Sequence, residues 1–96
     1  MSAIETYDGE AVELPREPEK YRLTDHARNR FRENERMVNG SVLRTAIQEG
    51  EIEAGKRPGT SHFVLKFGAL YFTLVVANEP ESDGVHSVVT MFPNRY

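Results

Sequence analysis

The chain contains no cysteine and no tryptophan. Without cysteine there is neither a disulfide framework nor a thiolate zinc site, and a short chain without disulfides suits a reducing compartment. A cytoplasmic location is therefore expected. Long apolar runs are also missing. None approaches the roughly 20 residues that cross a bilayer, so no membrane role is expected. Residues Met1 to Asp8 lack the basic flank and apolar stretch of a signal peptide. There is no glycine-rich phosphate loop and no Gly-x-Ser-x-Gly elbow, so nucleotide-cofactor chemistry and hydrolase triads find no support, and no cofactor is expected. The histidines, His26, His62 and His86, do not stand at metal-ligand spacing from one another, so no metal site is expected.

What remains is enough for one domain. The 96 residues are 39% apolar, which supports a single thin core. The apolar residues cluster between Leu23 and Phe92, whereas residues 1–19 hold Gly9, Pro15 and Pro18 among acidic and polar types. That segment reads as a flexible or loosely docked acidic arm, in which Ile4, Tyr7, Val12 and Leu14 can still pack. Residues 20–96 read as the folded body. The net charge is −3, which by itself argues against a nucleic-acid partner. Its distribution argues the other way. From Lys20 to Arg36 there are six cations (Lys20, Arg22, Arg28, Arg30, Arg32, Arg36) against Asp25, Glu33 and Glu35.

The hydrophobic period predicts the elements. A helix signal begins at Tyr21, with Thr24 or Asp25 as N-cap, and Leu23, Ala27 and Phe31 form a narrow stripe running toward Arg36. Asn39-Gly40 ends it. Ser41 reads as the N-cap of a second, more deeply buried helix bearing Val42, Leu43, Ala46 and Ile47, with Gly50 as its stop. The period then changes to two. Glu51 to Lys56 is a short edge strand or a loop, and Arg57-Pro58-Gly59 a turn. His62–Phe67, Leu70–Ala77 and Val85–Phe92 are strands, the last stopped by Pro93. Unbroken alternation places His86, Val88, Thr90 and Phe92 together. Short connections make neighbouring strands antiparallel. The expected fold is α+β, with two N-terminal helices packed on an antiparallel sheet of three to four strands.

One stretch suggests chemistry: Thr24-Asp25-His26-Ala27-Arg28-Asn29-Arg30. His26 and Arg30, four apart, share a helical face beside the buried stripe. Imidazole beside guanidinium suits phosphodiester chemistry, with Arg neutralising phosphate and His moving a proton. The plainer alternative is a polar helix edge and a solvated cation. His62, Lys66 and Tyr71 share the face of Thr90 if the alternation stays in register. With Arg28 on the basic helix they are candidates for substrate contact. Tyr71 and Phe92 lie on the face opposite the core positions, and a wet sheet face can hold single-stranded RNA.

His26-Ala27-x-x-Arg30 on an early helix, a second helix with Val42 and Ile47, and the closing run Val88-Val89-Thr90-Met91-Phe92 resemble the BECR superfamily (barnase, EndoU, colicin nucleases and RelE). The resemblance is to its small RelE-type toxins, over about residues 21–93. It implies helices on a curved antiparallel sheet whose open face cradles RNA, and a metal-independent endoribonuclease of toxin–antitoxin type. It also implies His26 as general acid or base, Arg30 as phosphate clamp and Thr90 as a phosphate-positioning hydroxyl. The implied partners are RNA and an antitoxin or other protein. A non-catalytic nucleic-acid-binding or protein-interaction domain of the same fold is the alternative. An enzyme requires His26, Arg30 and Thr90 in one concavity, whereas a binder requires only a basic surface.

Overall fold

The computed structural model describes residues 2–5, 11–34 and 38–95. Its strands are β1 (Ser2–Glu5), β2 (Ala11–Leu14), β3 (Tyr21–Leu23), β4 (Glu51–Ala54), β5 (Thr60–Phe67), β6 (Leu70–Ala77) and β7 (His86–Arg95). The helices are α1 (Asp25–Glu33) and α2 (Gly40–Glu49), with a 3-10 turn at Pro18–Lys20. β1 and β2 pair antiparallel as a separate two-stranded sheet. The main sheet has the order β3-β7-β6-β5-β4, and both helices lie against one of its faces. The architecture is thus α+β with a mostly antiparallel sheet, as the short connections between neighbouring strands imply.

Five details differ from the sequence expectation. Tyr21–Leu23 is a strand, and it pairs parallel with His86–Val88, which makes the sheet five-stranded and mixed. Three residues abutting a helix cap are too few for a period to register. Parallel pairing is possible because the whole helix-and-meander segment serves as the crossover. Helix α1 ends at Glu33 rather than near Arg36; the Asn34 side-chain amide donates to the Arg30 carbonyl at 2.8 Å. Residues 35–37 lie outside the described residues. The cap of α2 is Asn39, whose Oδ1 accepts the Val42 N–H at 3.0 Å, so Ser41 lies inside the helix. Pro93 does not end β7, which runs to Arg95. β3 covers only His86–Val88, so Pro93 lies on a stretch of β7 with no strand on its outer side, where a missing N–H is tolerated.

The fifth difference decides the site. Val75 pairs with Thr90 but Val76 pairs with Val88, so Val89 is the extra residue of a β-bulge. The bulge switches the faces of β7 part-way along. Before it, His86 and Val88 point to the helix side; after it, Met91 takes the core position opposite Leu74, and Thr90 and Phe92 turn to the open face. The expected grouping of His86 with Thr90 is therefore corrected. The ring of His86 lies 5.4 Å from that of Tyr21, and its Nδ1–H donates to the Ala77 carbonyl at 2.9 Å.

The core on the helix side is built from Phe63, Phe72, Leu74, Val76, Val88 and Met91, covered by Ala27, Val38, Ala46 and Ile47. Phe63 is its hub. Tyr21 meets it edge-on at 5.6 Å, and the Arg16 guanidinium lies over its ring at 5.3 Å. Arg16 also donates to the carbonyls of Ile47 (3.2 Å) and Gly50 (2.6 Å), the C-terminal end of α2. There it meets the negative end of the helix dipole. Leu14 is fully buried in this core. The Tyr21 hydroxyl donates to the Pro15 carbonyl at 2.7 Å, and burial pushes its pKa far up.

Candidate functional site on the open sheet face

Among the described residues both helices lie on the opposite face of the main sheet, and strand register arranges the side chains of this face in transverse rows, with Val64, Thr73 and Val75 buried at its centre. One row runs Glu53, His62, Val75, Thr90 across four strands; the next runs Glu51, Val64, Thr73, Phe92; Lys66 and Tyr71 stand opposite each other in a third. His62 and Thr90 are two strands apart, roughly 10 Å between backbones at normal strand spacing, with the small apolar Val75 between them. A polar group seated over Val75 is within reach of both.

Helix α1 supplies the fourth wall. The Thr24 hydroxyl accepts the Ala27 N–H at 3.2 Å and donates to the Val88 carbonyl at 2.9 Å, while the Thr24 N–H donates to the same carbonyl at 3.1 Å. The first turn of α1 is thereby fastened at the bulge. His26, two residues on, lines a cavity of about 400 Å³ together with Lys56, Arg57, Thr60, His62, Val75, Val89, Thr90 and Phe92. A second cavity of about 350 Å³ continues along the face, sharing Lys56, His62 and Phe92 and adding Lys66, Tyr71 and Glu53.

His26 and Thr90, 64 positions apart in sequence, thus share one concavity, and His62 joins them. Lys66 and Tyr71 line the adjoining one. Arg30 lines neither. Its guanidinium pairs with Glu33 at 3.2 Å, on a partly exposed side of α1. Arg28 is an exposed cation of α1 that lines neither cavity.

The cations that do line the site come from the β4–β5 turn. Lys56 and Arg57 form no ion pair with any described residue. Their turn is fixed from inside. The Thr60 hydroxyl donates to the Arg57 carbonyl at 2.8 Å, and the Gly55 N–H donates to the Thr60 carbonyl at 3.0 Å. In sequence this stretch reads only as a Pro-Gly turn. The signal that marks it is an adjacent Lys-Arg pair immediately ahead of that turn. Lys66 stands 3.9 Å from the Glu51 carboxylate, an exposed and weak pairing.

His62 is half-buried, and burial lowers its pKa below the ordinary histidine value, with Lys56 adding to the effect and Glu53 opposing it. Its neutral form is favoured, and neutral imidazole is a proton acceptor. Among the described residues no three His, Asp or Glu side chains stand close enough to hold a metal ion. The arrangement offers two imidazoles, a hydroxyl, two uncompensated cations and two aromatic side chains. No family model, curated protein or solved structure matches the chain.

Proposed function

We propose that the open sheet face binds single-stranded RNA and that His26 and Thr90 act on its phosphodiester backbone, making the protein a metal-independent endoribonuclease. The observation that carries this reading is the cavity holding His26, Thr90, Lys56 and Arg57 together. The cations neutralise phosphate, the imidazole moves a proton, and the hydroxyl orients a non-bridging oxygen. RNA supplies its own nucleophile in the ribose 2′-hydroxyl, so the protein need only position and exchange protons. Tyr71 and Phe92 offer surfaces on which bases can stack, and Lys66 lies beside the strand's onward path. The resemblance to RelE-type toxins points the same way. In this reading Lys56 and Arg57 take the part first expected of Arg30. An inhibitory partner of the antitoxin kind would have to cover this face.

A non-cleaving RNA-binding domain is the second reading, favoured by the engagement of Arg30 with Glu33. Cations held on a turn bind phosphate in its ground state as readily as in the transition state, which gives affinity without rate. The test is incubation of the full chain with single-stranded RNA in EDTA, beside His26→Ala and a Lys56→Ala/Arg57→Ala double variant. Cleavage by the wild type, lost in His26→Ala, is the expected result. Tight, salt-sensitive binding without cleavage would leave the binding domain standing and remove the enzyme.

A further inference from the structure

We infer that His62 is the second proton-transfer group of this site, acting as general base while His26 acts as general acid. The inference rests on the ribonuclease reading and assigns the roles within it.

The geometry is a matter of register and capping. His62 is held opposite Glu53 on one side and Val75 on the other, and Thr90 follows in the same row. It lines both cavities of the open face, whereas His26 lines only the one at the bulge. The two imidazoles therefore reach the shared cavity from different elements, His62 from β5 on the sheet floor and His26 from α1 on the helix wall. A phosphodiester cleaved in line needs its proton acceptor and its proton donor on opposite sides of phosphorus, which one histidine cannot provide within a single step.

The groups facing His62 account for its suitability. From β4 comes the Glu53 carboxylate; from the β4–β5 turn, Lys56 and Arg57; from β6, apolar Val75; from β7, Thr90 and Phe92; from α1, His26; and further along the face, Lys66 and Tyr71. Partial burial favours the unprotonated ring, the form a base requires, against the opposing Glu53 carboxylate and with a smaller contribution from Lys56.

The step balances without any co-reactant. An unprotonated ring nitrogen of His62 takes the proton of the ribose 2′-hydroxyl as that oxygen bonds to phosphorus. The bond from phosphorus to the 5′-oxygen breaks, and protonated His26 gives its proton to the departing oxygen. The products are a 2′,3′-cyclic phosphate and a free 5′-hydroxyl. The histidines finish with exchanged protonation states and reset through solvent, while Lys56 and Arg57 hold the non-bridging oxygens.

The experiment is kcat/KM against pH for the full chain on a labelled single-stranded RNA, comparing wild type with His62→Gln and His62→Ala. Unfolding midpoints and RNA affinity are measured in parallel. The expected result is a loss of about 10²–10⁴-fold in kcat/KM, typical for removal of a general base, with RNA binding retained. The limb of the profile that rises with pH disappears in His62→Gln, and added imidazole partly restores His62→Ala. A folded His62→Gln that keeps both the rate and the rising limb overturns the assignment while leaving the ribonuclease reading intact. Wild-type protein that binds RNA but never cleaves it removes that reading and the assignment with it.

Discussion

The hydroxyl of Thr24 does two things at once: it caps α1 by accepting the Ala27 N–H, and it donates to the carbonyl of Val88 beside the β7 bulge. The same threonine that starts the helix therefore sets its distance from Thr90, and the His26 side chain is aimed into the open face because of that tie. Helix α1 itself is short and largely polar; Ala27 is its one fully buried residue, and the half-buried Phe31 packs against the core beside it.

Thr24→Val keeps the shape but removes both hydrogen bonds. Loss of an N-cap costs about 1 kcal/mol in general, and the buried Val88 carbonyl loses one of its donors. Urea unfolding should show a destabilisation of about 1–2 kcal/mol, with Thr24→Ser recovering most of it. Under the proposed function, RNA cleavage should fall further than the stability loss accounts for, because His26 is no longer fastened. Equal rates in the two variants at full folding would disconnect the cap from the site.

Arg30 and the Lys56/Arg57 pair should behave oppositely. Arg30→Ala breaks a partly exposed pair with Glu33 and should change stability by no more than about 1 kcal/mol, with RNA affinity nearly unchanged. Lys56→Ala and Arg57→Ala should each weaken binding and flatten its salt dependence by about 0.7 in the log–log slope, the contribution of one phosphate contact on a single strand. Titrations of a labelled RNA at several salt concentrations measure both. A large loss in Arg30→Ala alone would return the phosphate clamp to α1.

His62 should also leave a trace in stability. Its pKa is lower in the folded protein than the ordinary value, so the unfolded chain binds more protons between the two values. Its contribution is full above about pH 6.5, the unfolded histidine value, and is lost as pH falls through the lower folded value. Unfolding midpoints of wild type should therefore drop more steeply than those of His62→Gln as pH is lowered from about 7 toward 5. Parallel curves for the two proteins would show that burial of His62 has no such effect.

Gly50 closes α2 under a steric requirement. A methyl group there would collide with the carbonyl oxygen of Ala46 and press on that of Val64. Gly50→Ala should destabilise the fold despite the better intrinsic propensity of alanine. It should also disturb the Gly50 carbonyl that receives Arg16. Thermal unfolding checks this, and a rise in midpoint would contradict it.

Much of the fold is legible in the chain. The spacing of Ala27 and Phe31 on α1, the buried face of Ala46 and Ile47, and the alternation through Phe63, Phe72 and Leu74 all reflect local periods that burial on one face imposes, whereas Leu23 belongs to β3 and not to the helical stripe. Strand β6 falls on Leu70–Ala77 in both sequence and structure because its neighbours, Gly68-Ala69 and the polar loop from Asn78, break pairing sharply. Less legible were the strand at Tyr21–Leu23, the cap at Asn39 and the passage of β7 through Pro93. Each depends on a partner remote in sequence or on a choice between adjacent capping residues.

The site divides in the same way. His26 stands out in the sequence because imidazole and guanidinium stand four apart on a helix, yet Arg30 pairs with Glu33, three residues on, instead. The residue types, the two faces of β5 and β6 and the α+β class follow from composition and period, since these are local consequences of side-chain chemistry. The meeting of His26, His62, Thr90, Lys56 and Arg57 follows from the bulge at Val89, the capping bond of Thr24 and the Thr60-braced turn. Those are set only when the chain is closed, because a single unpaired residue reverses the faces of everything after it.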